Sequence, residues 1–148
     1  MFKKVFEKTK AEIFLNDYIL PTIMANVVIV EQVHSPLTWL CEKLLQDEGH
    51  RITKAGIIHP QRAEDIGERV RLADVVVLAT TSHVTPPERR QGFYEELRVY
   101  GKPIVVADTN LCEPQIAVVE GDTYINTFSE RHSVHKLLPE AVSSLAGR

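Results

Sequence analysis

Two cysteines, one tryptophan and no apolar run longer than a strand stand in these 148 residues, and each scarcity closes off a class of protein. Two thiols, Cys41 and Cys112, are too few for a disulfide framework and too isolated for a metal knuckle. Cys41 falls on an apolar helical stripe and reads as a small hydrophobe; Cys112 would need a nearby cation or helix end to become reactive. A membrane-spanning helix needs about 20 apolar residues, far more than any run here supplies. The start of the chain is basic, but Glu7, Lys8, Lys10 and Glu12 interrupt what would be the apolar core of a signal peptide. The expectation is a soluble, cytoplasmic chain without membrane association.

Clustered positive charge is also lacking. The net charge is −3, and Lys3-Lys4 and Arg89-Arg90 are the adjacent basic pairs, so no stripe is present to neutralise phosphates and nucleic acid is not expected as a partner. The glycine-rich fingerprints of dinucleotide and nucleoside-triphosphate sites are absent, and Glu31 follows the first strong strand where it would repel a pyrophosphate. No cofactor is expected. A receiver domain needs an aspartate where Thr80 stands.

What is present is an alternation of β runs and amphipathic helices. The runs 26–31, 51–58, 73–82, 104–107 and 122–127 read as strands, those at 27–30, 75–79 and 104–107 as doubly buried. Between them lie helices with Ser35-Pro36, Thr85-Pro86-Pro87-Glu88 and Ser129 or Ser133 as start signals, and with Gly49 and Gly101 as stops. The apolar stripes are Leu37, Leu40, Cys41, Leu44 and Leu45; then Ile66, Val70 and Ala73; then Phe93, Leu97 and Tyr100. The last runs from Val134 to Leu145, with Pro139 inside it. Alternating β and α units imply right-handed crossovers over a parallel sheet. The expected fold is a three-layer αβα sandwich with a mostly parallel sheet of about five or six strands, flavodoxin-like or Rossmann-like. Residues 1–25 read as a lead-in of one helix and a short edge strand, and residues 26–148 as a single αβα domain.

In such sheets ligands gather at the carboxyl ends of the strands. The polar residues expected there are Glu31, His34, Ser82, His83, Asp108 and Asn110, a candidate crevice whose plainer reading is loop residues satisfying one another and the helix ends. A Ser82/His83/Asp108 triad is disfavoured because Ser82 and His83 are sequence neighbours and no nucleophile elbow holds the serine out. His132 and His135 have metal-ligand spacing but no evident third ligand, so no metal is expected. The helix starts at Ser35 and Thr85 are candidate anion sites, and Glu95 and Glu96 candidate carboxylates, against the plainer reading of solvated charges beside Arg90 and Arg98.

Four segments together resemble one family: Ala-Asp-Val-Val-Val-Leu-Ala-Thr-Thr at 73 to 81, Gly-Lys-Pro-Ile-Val-Val at 101 to 106, Asp-Thr-Asn-Leu-Cys-Glu-Pro at 108 to 114, and Thr-Tyr-Ile-Asn-Thr-Phe-Ser at 123 to 129. Their order and spacing resemble the C-terminal αβα domain of glycoside hydrolase family 3, in the bacterial β-N-acetylhexosaminidase branch. Residues 10–21 are similar to the lead-in of that domain. The resemblance implies a carbohydrate-related accessory domain, because the family's nucleophile sits on a TIM barrel that this chain lacks. It also implies a TIM-barrel glycosidase partner or self-association, and a small sugar as ligand. Another branch of the family carries an acid/base glutamate after the strand matching residues 74–80, where this chain reads Thr81-Ser82-His83-Val84, so no catalytic residue is carried over. Two other readings stay open. One is an enzyme resembling nucleoside deoxyribosyltransferases, which would use Glu95 or Glu96 inside a pocket. The other is a binding module for a small sugar or anion.

Overall fold

A computed structural model describes residues 24–31, 35–56, 63–81, 85–111, 114–128 and 133–147, with the backbone alone at 63–65. The expected lead-in helix and edge strand, and a cap at Ser129, lie outside the described residues. The elements in chain order are β1 (Asn26–Glu31), α1 (Pro36–Asp47), β2 (Arg51–Gly56), α2 (Ala63–Leu72), β3 (Val75–Thr81), α3 (Pro87–Arg98), β4 (Ile104–Thr109), β5 (Thr123–Asn126) and α4 (Val134–Ala146). The five strands pair in the order β2-β1-β3-β4-β5, and all four pairings are parallel. This is a doubly wound sheet of flavodoxin-like order, with its switch point between β1 and β3.

Valine runs specify the central strands because a strand covered on both faces has no polar side to present. Six of the seven residues of β3 are buried. Val27, Ile29, Val75, Val77, Val105 and Ala107 pack under α1 and α4, against Cys41, Leu45, Leu138 and Val142. Their alternates Val28, Val30, Val76, Leu78, Ile104 and Val106 pack with Val70, Tyr94 and Leu97 of the α2 and α3 layer. Period-2 alternation thus assigns each strand residue to one of two cores. Cys41 is the small hydrophobe its stripe implied, and burial pushes its thiol up to about 12.

Several polar links set the register. Asp74 Oδ2 accepts from the Asn26 amide at 2.8 Å, joining the amino ends of β1 and β3. Lys102 Nζ donates to the Arg71 and Ala73 carbonyls at 3.0 and 2.9 Å, so the lysine of the Gly-Lys-Pro turn caps the end of α2. Gly49 and Gly101 have φ of +91° and +73°, the left-handed conformation that stop signals at these positions require.

Two local expectations are corrected. The capping box at Thr85 does not form: α3 begins at Pro87 with Pro86 as N-cap, and no side chain caps it. Pro86 precedes another proline, which excludes it from helical conformation, and it stays extended at ψ 157°. The helix therefore starts one residue later than the threonine signal asks. The inward face of α3 is also turned: Arg90, Tyr94 and Leu97 are buried, while Phe93 is half-buried under the Arg89 guanidinium, 5.6 Å from its ring centre. Ser35 and Ser133 do stand as N-caps of α1 and α4, but neither hydroxyl caps its helix.

Candidate functional site

Asp108 and Thr109 are consecutive at the carboxyl end of β4, so their side chains leave the sheet on opposite faces. Two different environments result, one polar and sealed, the other an open groove.

On the α3 side Asp108 is fully buried, and so is Arg90, whose Nη1 donates to Asp108 Oδ2 at 2.8 Å. The same carboxylate oxygen accepts from Tyr124 Oη at 2.7 Å. Arg90 also donates through Nε to the Thr85 carbonyl at 3.2 Å and through Nη2 to the Pro114 carbonyl at 3.3 Å. One guanidinium therefore ties together the strand end, the approach to α3 and the segment leading to β5. Asn110 extends the network: its Nδ2 donates to Tyr124 Oη at 3.3 Å, and its backbone exchanges hydrogen bonds with the Asn126 carboxamide. Burial pushes the Asp108 carboxyl up from its ordinary value, against the Tyr124 hydrogen bond and the Arg90 charge, which pull it down. Burial also raises the Tyr124 phenol, and its hydrogen bond to Asp108 adds to that. The guanidinium and the phenol both meet one carboxylate oxygen, Oδ2, in a setting with no solvent exposure.

Further along α3 the same stapling continues. Gln91 accepts from the Ala117 amide at 2.8 Å and donates to its carbonyl at 3.0 Å. Tyr94 Oη accepts from Val119 N at 2.9 Å and donates to Asp122 Oδ2 at 2.6 Å, while Asp122 Oδ1 accepts from Ile104 N at 2.8 Å. Burial and the Asp122 bond push the Tyr94 phenol up to about 12. The irregular stretch 114–122 is thus held against α3 by the Gln91 and Tyr94 side chains.

On the other face, a groove of about 430 Å³ opens between the first turns of α1 and α4. Leu37, Trp39 and Leu40 line it from α1, Thr109 and Thr127 from the strand ends, and His135 from α4. Trp39 is 64% exposed, far from the high average burial of tryptophan. Thr109 Oγ1 and Thr127 Oγ1 are 2.8 Å apart in a hydrogen bond, and the Thr127 amide donates to the Asp108 carbonyl at 2.8 Å. A second hollow of about 360 Å³, lined by Asn26, Thr53, Arg69 and Leu72 among others, lies at the opposite, amino end of the strands. In a parallel sheet that is the end away from ligands.

The candidate crevice is divided by this geometry. Asp108 and Asn110 come together, buried, on the α3 side. Glu31, two residues beyond Ile29, is half-buried and belongs by alternation to the α1 and α4 side. His34, Ser82 and His83 lie outside the described residues, as do Cys112 and His132, the second member of the histidine pair. Glu95 and Glu96 both lie in solvent. Glu95 accepts from Arg98 at 2.9 Å and from Gln91 at 3.0 Å, and those bonds hold its carboxyl below the usual range. Neither carboxylate meets the requirement of a pocketed nucleophile. The anion site expected at Thr85 is corrected as well, since Pro86 and Pro87 remove donors from that helix start and Glu88 brings a negative charge into its first turn. Among the described residues no group of three or more metal-ligating side chains is found, and no helix is long and apolar enough to cross a membrane.

Sequence reasoning missed Arg90 and Tyr124. Arg90 read as a solvated partner of Glu95, and the signal that could have found it is its i, i+4, i+7 spacing with Tyr94 and Leu97. Trp39, flanked by buried Thr38 and half-buried Leu40, was passed over because it lies off the apolar stripe.

No family model matches this sequence, and no curated protein does. Solved structures do resemble it in fold. One is a protein from Burkholderia pseudomallei described as pilus assembly-related, 14% identical, with 85% of this chain and 94% of that one covered and a TM-score of 0.53. A 2-deoxyribosyltransferase from Bacillus psychrosaccharolyticus is 10% identical, over 71% of this chain and 89% of its own, with a TM-score of 0.49. A 3-dehydroquinate dehydratase-like protein from Bifidobacterium longum is 16% identical, over 84% and 100%, with a TM-score of 0.49. These are likenesses of a widely used α/β fold, and a fold of this kind hosts many unrelated activities.

Proposed function

We propose that this chain is a non-catalytic binding module that takes a small molecule in the groove between α1 and α4. One observation carries the reading: an exposed tryptophan stands in a concave site at the carboxyl ends of parallel strands, where ligands of such folds bind. The carboxylates that could do chemistry are engaged elsewhere. Asp108 is locked to Arg90 and Tyr124, and Glu95 and Glu96 lie in solvent. Retaining glycoside hydrolysis needs two carboxyl groups about 5 Å apart across a sugar. No described carboxylate lines the groove.

The resemblance to the family 3 C-terminal domain fits this reading, since that domain accompanies a barrel that carries the nucleophile. The corresponding partner would be a TIM-barrel glycosidase domain, with self-association as the other arrangement. A deoxyribosyltransferase activity would need a pocketed carboxylate that neither Glu95 nor Glu96 supplies.

The test is a thermal-shift screen of the purified chain against amino sugars, nucleosides, small aromatics and inorganic phosphate, run beside an aryl N-acetylglucosaminide turnover assay. A saturable rise in Tm without turnover is the expected result. Turnover by the isolated chain, or no rise with any ligand class, overturns the proposal.

A further inference from the structure

We infer that β2 is an interaction edge whose occupant is the chain's own lead-in: residues 12–15, the short strand expected there, add antiparallel to its free side. Nothing in this depends on the groove or its ligand.

The first ground is unpaired backbone. Arg51 N donates to the Ala25 carbonyl at 2.9 Å, which in a parallel ladder makes Arg51, Thr53 and Ala55 the residues bonded to β1. Ile52, Lys54 and Gly56 therefore turn their N–H and C=O groups to the other side. Among the described residues no strand pairs there, and the group that reaches this side is Arg69, whose Nη1 donates to the Lys54 carbonyl. Such an edge is a template for another strand, and many doubly wound sheets carry an antiparallel strand at one edge.

The second ground is what lies beside that edge. Thr53 is exposed although Val28, its partner across the ladder, is buried. The hollow of about 360 Å³ at the amino ends of the strands opens beside it, with Leu72, 73% exposed, in its wall. A strand laid along β2 with Phe14 opposite Thr53 brings the phenyl ring to this hollow and to Leu72. The same register sets Ile13 opposite Lys54 and Leu15 opposite Ile52, so both hydrogen-bonded pairs use outward-pointing groups, and Leu15 extends the half-buried Ile52 on the α1 side. Glu12 then stands opposite Ala55, on the α2 side from which Arg69 comes.

Charge and reach select this occupant. β2 carries Arg51 and Lys54 and no acidic residue, so a second copy of the same edge opposes like charges, whereas residues 12–15 bring a carboxylate. The described chain begins at exposed Met24, and Ala25 is tied to the start of β2 by His50 Nδ1 and Arg51 N. From Leu15 to Met24 there are eight residues, which extend to about 26 Å, while the two strand spacings to be crossed come to roughly 10 Å.

The test is hydrogen exchange at single amides of the full chain, together with a proton NMR search for the close Hα–Hα contact between Phe14 and Thr53 that this register demands. The Ile52 and Lys54 amides should exchange at least about tenfold more slowly than unpaired ones, equally at low and high protein concentration. Ile13→Pro removes one donor of the added strand and should release both amides while Thr53 and Ala55, bonded to β1, stay protected. Fast exchange at Ile52 and Lys54, or no Phe14–Thr53 contact in the unaltered protein, overturns the inference. Protection that grows with concentration gives the edge to a second copy, and protection that survives Ile13→Pro gives it to another segment; either result overturns it too.

Discussion

Arg90 is the residue whose place in the fold departs furthest from its chemistry. A guanidinium with no solvent exposure is tolerated because Asp108 and the carbonyls of Thr85 and Pro114 meet it from three segments. Replacing a buried pair by apolar side chains is often neutral, whereas removing one partner strands the other charge. Arg90→Met should therefore cost about 3–5 kcal/mol in urea denaturation at pH 7. Adding Asp108→Leu to it should recover much of that loss. The deficit of the single variant should also shrink towards pH 4, because a carboxyl already pushed up by burial takes a proton readily once its cation is gone. A loss below about 1 kcal/mol, or one independent of pH, would mean the pair is not what holds this strand end. Trp39 poses the reverse case, an apolar ring left in solvent where the rest of its helix is ordered by burial. Both residues were hidden from sequence for one reason: composition tells which side chains prefer the interior, and each of these goes against its preference.

At the level of elements the sequence was informative wherever burial alone decides. The valine runs became the central strands, and Gly49 and Gly101 took the left-handed turns they promised. It was less so where two local rules compete. Thr85 obeys the capping rule, but Pro86-Pro87 obeys a stronger steric one, and the helix start moved. The face of α3 was misread because Phe93, Leu97 and Tyr100 have acceptable spacing too, and it is partners distant in sequence, Asp108 for Arg90 and Val119 and Asp122 for Tyr94, that favour the observed face. The candidate crevice was half legible: alternation along β4 predicts that Asp108 and Thr109 part company, but not which face each takes. A further test of the layer packing concerns α2, which carries Gly67 in its interior, a residue costing about 1 kcal/mol against alanine. A Cβ there would stand 2.8 Å from the Tyr100 hydroxyl oxygen, at the far end of a movable side chain. Gly67→Ala alone should gain little, whereas Gly67→Ala with Tyr100→Phe should raise stability by about 0.5–1 kcal/mol over Tyr100→Phe alone in thermal unfolding. If the alanine is equally costly in both backgrounds, the α2 and Tyr100 contact is not as described.

For the molecule as a whole, the response to acid should be set partly by His50. It is 5% exposed, and its Nδ1 accepts from the Ala25 amide at 3.1 Å, joining the chain ahead of β1 to the start of β2. Burial lowers its pKa from the ordinary value near 6.5, with the charge of Glu48 opposing. The folded state thus binds this proton less readily than the unfolded one. The contribution is complete above about pH 6.5 and is lost as pH falls from there towards the lowered value. Unfolding free energies measured from pH 8 to pH 5 should fall more steeply in the native sequence than in His50→Asn, whose side-chain oxygen can keep the acceptor without titrating. Parallel curves for the two proteins would remove His50 from the account. The architecture itself, five parallel strands between helical layers, was readable because alternation of β and α units leaves few topologies open.

Asp108 and Thr109 share one peptide unit, yet one serves a sealed ion pair and the other a groove open to solvent. Thr127 binds to both, through the Asp108 carbonyl and the Thr109 hydroxyl. Descendants of this gene are therefore not at liberty to alter the two faces independently, since a lineage that loosens the guanidinium on one side redraws the opening on the other.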